Sequence, residues 1–386
     1  MTRRAIALCL ALGLAACLEP QPAPDLPQTP SSAFALVTVA DGLPSPWAAA
    51  VLPGGGYLVT GNAGQLWRIG ADGTRTEIGG LPDAITGLGE TRIGSGQSQG
   101  GLLDVALAPD FARTGEIFLS YSYGDWDANG TALLRARLDG DRLVDATEIW
   151  RAGPPKAAGS HYGGKIAFLP DGTLLLTTGD GFAYREDAQR AYTHLGSIVH
   201  LTRDGAPADP TPLFGEGTLP DIHSIGHRNV QGLAVDPATG EVWEHEHGPR
   251  GGDELNRITA GANYGWPIVT AGVDYNGARI SPRESDPRFT APVRSWVPSI
   301  APSGLAVYRG ALFPEWEGDL LVGGLASGDV RRVSPDGRAE TVLLGDLKSD
   351  DDTHRVRDVD VDADGAVLLL IEDPENGRLV RLLPGG

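Results

Sequence analysis

Residues 225–266 carry polar side chains at a density that a plain core segment does not need. The side chains that could bind or act on a ligand lie among glycines and are Arg228, Asn229, Gln231, His245, His247, Arg250, Asp253, Glu254 and Asn256. Glycine lets a backbone approach a ligand or adopt positive φ, and guanidinium, amide and carboxylate groups suit a charged ligand or a hard cation. A long solvated loop would have a similar composition. The apolar run at 232–235 and the aromatic pair Tyr264 and Trp266 favour a functional site at the tips of strands.

Short strands must position these side chains, because no window after the N-terminus shows helical periodicity. A turn of Pro, Asp and Gly followed by a β-rich run recurs at residues 52–61, 108–121, 169–179, 235–243, 313–323 and 362–371. Strands and turn signals at such spacing indicate an all-β fold. If each repeat is one sheet, the fold is a six-bladed β-propeller over residues 33–386. Two β-sandwiches are the alternative, but no linker follows Pro30.

The N-terminus predicts export. Arg3 and Arg4 precede an apolar run at 5–16 that is too short to span a bilayer and has the form of a secretory signal. It ends in Leu-Ala-Ala-Cys17, which resembles the lipobox of bacterial lipoproteins, and the chain's other cysteine is Cys9. A plain signal peptide is the alternative.

We therefore expect a lipoprotein signal at 1–16, a Pro-rich tether at 17–32 and a mature protein held to a membrane through lipidated Cys17, facing the periplasm. The formal net charge of −19 argues against a nucleic-acid partner, because phosphate binding needs clustered Lys and Arg.

Further candidates lie at the edges of other β-rich runs, where propeller loops converge at one end of the central channel. They are Gln99, His161, Arg355 and Arg357. With the polar segment, these positions fall in motifs at 99–104, 161–165, 224–232, 246–254, 263–266 and 355–358. The motifs resemble those of the soluble PQQ-dependent sugar dehydrogenases, and more closely the aldose sugar dehydrogenase branch. The similarity extends from about Ala33 to the C-terminus.

The resemblance implies oxidation of aldoses at C1 to lactones, with hydride transfer to pyrroloquinoline quinone (PQQ) and broad specificity. The positions matching cofactor-binding residues are Gln99, Arg228, Asn229, Gln231, Arg355 and Arg357. His161 matches the general base, Gln99 would contact substrate or cofactor, and Arg228 could stabilise charge on the quinone oxygen. One Ca²⁺ would bind the backbone carbonyls of Gly248 and Pro249, and a second would lie near Glu254 and the backbone of Tyr264. The electron acceptor is not identified by the sequence.

Two positions depart from the family pattern. Ala326 stands where a lysine contacts the cofactor, and Ser160 replaces the acidic or amide neighbour that precedes the histidine in the glucose-specific branch. The first change puts cofactor affinity in question, and the second makes strict glucose specificity unexpected. The rival functions are a non-catalytic binding propeller and a calcium-dependent, lactonase-like hydrolase. The hydrolase would need several acidic or amide side chains around one metal, which the sequence does not reveal.

Overall fold

The computed structural model describes residues 26–86, 98–345 and 355–385, and these form six four-stranded antiparallel sheets. Each sheet is one blade of a β-propeller, and the predicted fold is confirmed. Blades 1 to 3 contain β2 (Pro46–Val51), β3 (Tyr57–Gly61), β4 (Gln65–Ile69), β5 (Arg75–Glu77), β6 (Leu102–Leu107), β7 (Glu116–Gly124), β8 (Asn129–Asp139), β9 (Arg142–Arg151), β10 (Ile166–Phe168), β11 (Leu174–Thr177), β12 (Ser197–Leu201) and β13 (Ile222–Ile225).

Blades 4 to 6 continue the series, and the N-terminal strand β1 completes blade 6. Their strands are β14 (Val230–Val235), β15 (Val242–Glu246), β16 (Asp253–Ile258), β17 (Arg294–Trp296), β18 (Pro302–Val307), β19 (Leu320–Gly324), β20 (Val330–Val333), β21 (Glu340–Leu344), β22 (Arg355–Val361), β23 (Val367–Glu372), β24 (Gly377–Pro384) and β1 (Phe34–Leu43). Strands β1 and β24 pair from Phe34 opposite Pro384 to Leu43 opposite Gly377, which joins the two ends of the chain in one sheet and closes the ring.

Helical elements in the described ranges are single turns. They are α1 (Asp83–Thr86), α2 (Phe111–Thr114) and 3-10 turns at Ser31–Ala33, Arg185–Gln189 and Pro314–Trp316. No helix in these ranges is long and apolar enough to cross a membrane.

The predicted signal at 1–16, with Cys17, and most of the predicted tether lie outside the described residues. The end of the tether follows the edge of blade 5, where Thr29 N–H donates to the Val342 carbonyl and Val342 N–H donates to the Pro27 carbonyl.

The predicted repeats correspond to the second strands of the six sheets, each preceded by its turn. Apolar side chains on these strands pack between neighbouring blades. Trp243 of blade 4, for example, lies with Leu305 and Leu320 of blade 5 in one buried cluster. Full burial of such a side chain contributes about 1.5–3 kcal/mol. The core is therefore spread around the ring in the gaps between sheets, and the loops are left to carry function.

Because the strands of each sheet are antiparallel, loops that lead into a first strand share one end of the ring with loops between second and third strands. We call this the site end. Residues 259–293, between β16 and β17, also reach it. Asn263 pairs in parallel with Ile225 of β13, and Trp266 N–H donates to the Gly226 carbonyl. Gly226 has φ of +82°, and a Cβ there would lie 2.5 Å from Gly265 N, so this close passage requires glycine.

Candidate active site

A cavity of about 300 Å³ opens at the site end of the ring. This volume is at the lower end of the range of small-molecule pockets, about 300–1,000 Å³. All six blades contribute to its wall, including the predicted cofactor-binding residues Gln99, Asn229, Gln231, Arg355 and Arg357. The structure thus brings together side chains from blades 2, 4 and 6 that lie up to 258 positions apart in the sequence, from Gln99 to Arg357.

The two arginines of blade 6 already bind a carboxylate. Arg357 donates to Glu372 Oε2 from Nε at 2.8 Å and also from Nη2, and Arg355 Nε lies 3.5 Å from the same oxygen. Glu372, which the sequence analysis missed, lines the cavity too. Its contact with Arg357 shows that this end of the cavity can hold a carboxylate by two guanidinium hydrogen bonds. Two cations against one anion leave the wall formed by these three residues positive.

His161 lies next to this cavity and is paired with a buried carboxylate. Its backbone N–H donates to Gln99 Oε1 at 2.8 Å, and its Nδ1 lies 2.6 Å from Asp180 Oδ1. Burial lowers the pKa of His161, which the charge of Asp180 only partly offsets. Burial alone would raise the pKa of Asp180, but the charge and hydrogen bond of His161 bring it below its ordinary value. The pair is therefore a neutral imidazole and an ionised carboxylate at neutral pH.

Asp180 is held rigidly. Within the described residues, its carboxylate accepts from Phe182 N–H at 2.8 Å and from Trp266 Nε1 at 2.8 Å, besides the contact with His161. His161 itself has φ of +56°, a region that costs energy for a non-glycine residue and often marks a functional site. Gly179 makes the turn possible, because a Cβ there would lie 2.3 Å from the His161 carbonyl oxygen.

Arg228 lies behind this pair and contacts one of the predicted calcium ligands. Its Nη1 donates to the carbonyls of His247 at 2.9 Å and Gly248 at 2.6 Å, and its guanidinium carbon lies 5.4 Å from the centre of the Trp266 ring. Pro249, the other predicted ligand, is buried. Carbonyls that already stabilise one positive group provide the kind of oxygen environment that a hard cation uses.

The other predicted calcium position, at Glu254 and Tyr264, lies against a group that we call the acidic cluster: His227, Glu244, Glu246 and Glu254. Ligand atoms of His227, Glu244 and Glu246 lie within 4.8 Å of one another. Glu254 is directly opposite Glu246 in the sheet, and the Tyr264 ring stacks on His227 at 4.8 Å. Burial and the charges of Glu246 and Glu244 raise the pKa of Glu254 well above its ordinary value. Glu244 Oε2 and His227 Nδ1 are buried without a hydrogen-bond partner.

The acidic cluster corrects one expectation, because the sequence revealed no group of acidic side chains around one point. Strand pairing brings Glu244 and Glu246 of β15 level with Asn256 and Glu254 of β16, a relation that sequence spacing does not show. The side chains of His227, Glu244 and Glu246 are at most 5% exposed. A substrate could not reach them, so the cluster suits a structural cation rather than a hydrolytic one.

Sequence reasoning also missed Asp180, Phe182 and Tyr275. Asp180 had one usable signal, since it lies between two glycines directly after a β-rich run. Phe182 and Tyr275 had none, because they are ordinary aromatics in loops. Phe182 meets the His161 ring edge-on at 5.3 Å, and the Tyr275 hydroxyl accepts from Arg228 Nη2 at 3.3 Å.

The comparisons with known proteins agree with this fold and site. Residues 43–381 match the family model described as glucose/sorbosone dehydrogenase. The chain is 37% identical to the aldose sugar dehydrogenase YliI of Escherichia coli, over 89% of this chain and 91% of the relative. It is 27% identical to quinoprotein glucose dehydrogenase B of Acinetobacter calcoaceticus, over 73% and 74%. The PQQ-bound aldose sugar dehydrogenase of Streptomyces coelicolor is 28% identical and superimposes with a TM-score of 0.68, over 92% of this chain and 100% of that one. The chain belongs to the glucose/sorbosone dehydrogenase family.

Proposed function

We propose that this protein is a PQQ-dependent dehydrogenase that oxidises aldose sugars at C1 to lactones. The family and the names of the relatives support sugar oxidation, and the PQQ-bound relative supports the cofactor. The observation that carries the proposal is the buried His161–Asp180 pair beside a cavity lined by arginines and amides.

The residues of the cavity fit a flat tricarboxylate. Arg355 and Arg357 offer guanidinium groups that already bind one carboxylate, and Asn229 and Gln231 offer amide groups within the same wall. When bound, PQQ supplies a two-electron acceptor for the hydride that leaves C1. The role of the chain is to hold this group and the sugar together and to exclude competing water.

His161 supplies the base. Its Nδ1 hydrogen is directed to Asp180, which leaves Nε2 as the acceptor for the proton of the C1 hydroxyl. As C1 loses its hydride and the hydroxyl loses its proton to His161, the carbonyl of the lactone forms. Asp180 then stabilises the imidazolium. Gln99 positions the His161 backbone and keeps its amide NH₂ as a donor for a ligand. Arg228 would stabilise the negative charge that develops on the bound cofactor.

We further propose two calcium ions. One would bind at the Gly248 and Pro249 carbonyls beside the cavity. The other would bind at the acidic cluster, near Glu254 and the backbone of Tyr264. Buried oxygen atoms without partners and several carboxylates around one point favour a hard divalent cation there.

Reconstitution tests the function. Apo-protein is mixed with PQQ and Ca²⁺ and assayed by dye reduction with a panel of aldoses. We expect turnover with several sugars, since Ser160 does not favour strict glucose specificity. His161→Ala should lower turnover by about 10²–10⁴-fold and keep the absorbance change of cofactor binding. His200→Ala, which removes a histidine bonded to Thr173 far along β12, should keep both. Absence of turnover together with absence of cofactor binding would refute the proposed dehydrogenase activity. Hydrolysis of lactones without dye reduction would instead identify a hydrolase.

The leader sequence supports export as a lipoprotein anchored through Cys17 and facing the periplasm. The full-length wild type should fractionate with membranes, and Cys17→Ala should become soluble after export. Equal solubility of the two proteins would rule out the anchor.

A further inference from the structure

Two exposed aromatic side chains flank the His161–Asp180 pair. Phe182 and Tyr275 are 50% and 57% exposed, and their rings stack with centres 6.1 Å apart and planes 29° apart. We call them the aromatic pair. Phe182 comes from the loop after β11 and Tyr275 from the long connection after β16, so two separate loops build one apolar surface. Such a surface beside a reactive centre usually contacts a ligand.

The loop structure holds the aromatic pair in place at some cost. Phe182 has φ of +63°, a conformation unfavourable for a phenylalanine, and its N–H is fixed by Asp180. Arg185 Nη1 bonds Asp274 Oδ2 at 3.2 Å and so joins the two loops next to the aromatic pair. A solvated aromatic does not need this support, whereas a ligand platform does.

A shallow hollow lies between the two loops that carry the aromatic pair. It has a volume of about 270 Å³, and its wall includes Arg185, Glu186, Ile268 and Ser281. Arg185 connects it to the aromatic pair, since the same side chain lines the hollow and bonds Asp274. Charged and hydroxyl groups beside an isoleucine suit a polyhydroxylated ligand better than a flat aromatic electron acceptor.

We propose that the aromatic pair is a subsite for the second sugar unit of an oligosaccharide whose reducing end is oxidised at His161. This inference rests on the proposed function. The C–H face of a sugar ring packs on an aromatic ring as other apolar surface does, and the hydroxyl groups at its edge remain free to bond Arg185 and Ser281. The enzyme then selects chains of two or more sugars over single sugars, and Phe182 and Tyr275 determine that selectivity.

Reconstituted holoenzyme tests the subsite with glucose and with maltose or cellobiose, whichever the wild type oxidises better. Phe182→Ala and Tyr275→Ala should each lower kcat/KM for the disaccharide relative to glucose about tenfold, as expected for loss of apolar contact with one sugar ring. Tyr275→Phe, which keeps the ring, should retain the selectivity. Tyr192→Ala is the matched control, because Tyr192 is a 60% exposed aromatic in the same loop as Phe182.

Binding to apo-protein separates this inference from the proposed function. Calorimetry compares methyl α-maltoside with methyl α-glucoside, neither of which has a free C1 hydroxyl. Weaker maltoside binding in Phe182→Ala supports the subsite even if no aldose is oxidised. The proposal is overturned if the ratio of kcat/KM for the disaccharide to that for glucose is unchanged in the variants. It is also overturned if both variants bind the maltoside as tightly as the wild type does. A rise in KM for the dye alone would also overturn it and assign the aromatic pair to the electron acceptor.

Discussion

Replacing Asp180 by asparagine tests whether the carboxylate determines which ring nitrogen of His161 carries the hydrogen. Asp180 Oδ1 accepts from His161 and Phe182, and Oδ2 accepts from Trp266 Nε1. The asparagine side chain has one oxygen where aspartate has two, so its NH₂ group must face one of these hydrogen-bond donors. Facing Trp266, it leaves the indole N–H unpaired. Facing His161, it forces the hydrogen onto Nε2, the nitrogen that must accept the proton.

The expected loss follows from these contacts. A positioned general base contributes about 10²–10⁴-fold, so we expect kcat and kcat/KM of Asp180→Asn to fall together by roughly 10³-fold, about 4 kcal/mol at 1.36 kcal/mol per decade. The stability of the fold should fall by about 1.5–3 kcal/mol, the contribution of a hydrogen bond to a charged group.

The chain offers a matched control. Asp221 bonds His194 Nε2 at 3.1 Å and Trp150 Nε1 at 2.8 Å, an aspartate with the same types of partner away from the cavity. Asp221→Asn should cost similar stability in urea unfolding and leave dye reduction unchanged.

A double mutant decides the mechanism. If Asp180 acts through His161, then Asp180→Asn should cost nothing further in a His161→Ala background. A folded Asp180→Asn enzyme within threefold of wild-type kcat, or losses that simply add in the double mutant, would refute the reasoning.

Two further predictions concern pH and calcium. Since His161 must be neutral to accept a proton and burial lowers its pKa, log(kcat/KM) should fall only as pH drops through a value below 6.5, and a limb above pH 7 would contradict the assignment. In apo-protein, Ca²⁺ at about 100 times the Kd of the site at the acidic cluster should stabilise the wild type by roughly 2.7 kcal/mol through that site. Glu254→Gln should reduce this calcium-dependent gain in stability. In EGTA the variant should be no less stable than the wild type, because it removes one of several crowded carboxylates. If chemical unfolding gives the same calcium-dependent gain for the variant and the wild type, the ion binds elsewhere.

The fold was predictable because each blade repeats one local signal. A Pro/Asp/Gly turn followed by an apolar run marks every second strand, and six such signals define the ring without any long-range information. Side chains in the loops leading into first strands, such as Gln99 and Asn229, or at the start of such a strand, such as Arg357, could be grouped for the same reason. The topology of a propeller places all of those loops at one end.

Long-range pairing could not be predicted in the same way. Asp180 meets His161 only because β11 returns its loop beside the loop that precedes β10, and Glu372 meets Arg357 because β22 and β23 pair. The acidic cluster depends on the register of β15 against β16, which a shift of one residue would destroy. Sequence spacing indicates which residue types are present, but the register decides which of them share a face.

The long connection after β16 determines where the proposed sugar substrate would bind. Residues 259–293 begin at the end of blade 4 opposite the site end and run beside β13 back to the site end. There Trp266 contacts Asp180, and Tyr275 contacts Arg228. Blade 3 supplies the base and Phe182, and blade 4 supplies Trp266 and Tyr275. The carboxylate-binding arginines come from blade 6, which lies opposite blade 3 in a six-membered ring. The cavity therefore has an anion-binding side and a proton-accepting side. If the cofactor is held by its carboxylates on the first side, the second side is left for the neutral sugar, and the further units that we propose would lie over the loops of blades 3 and 4.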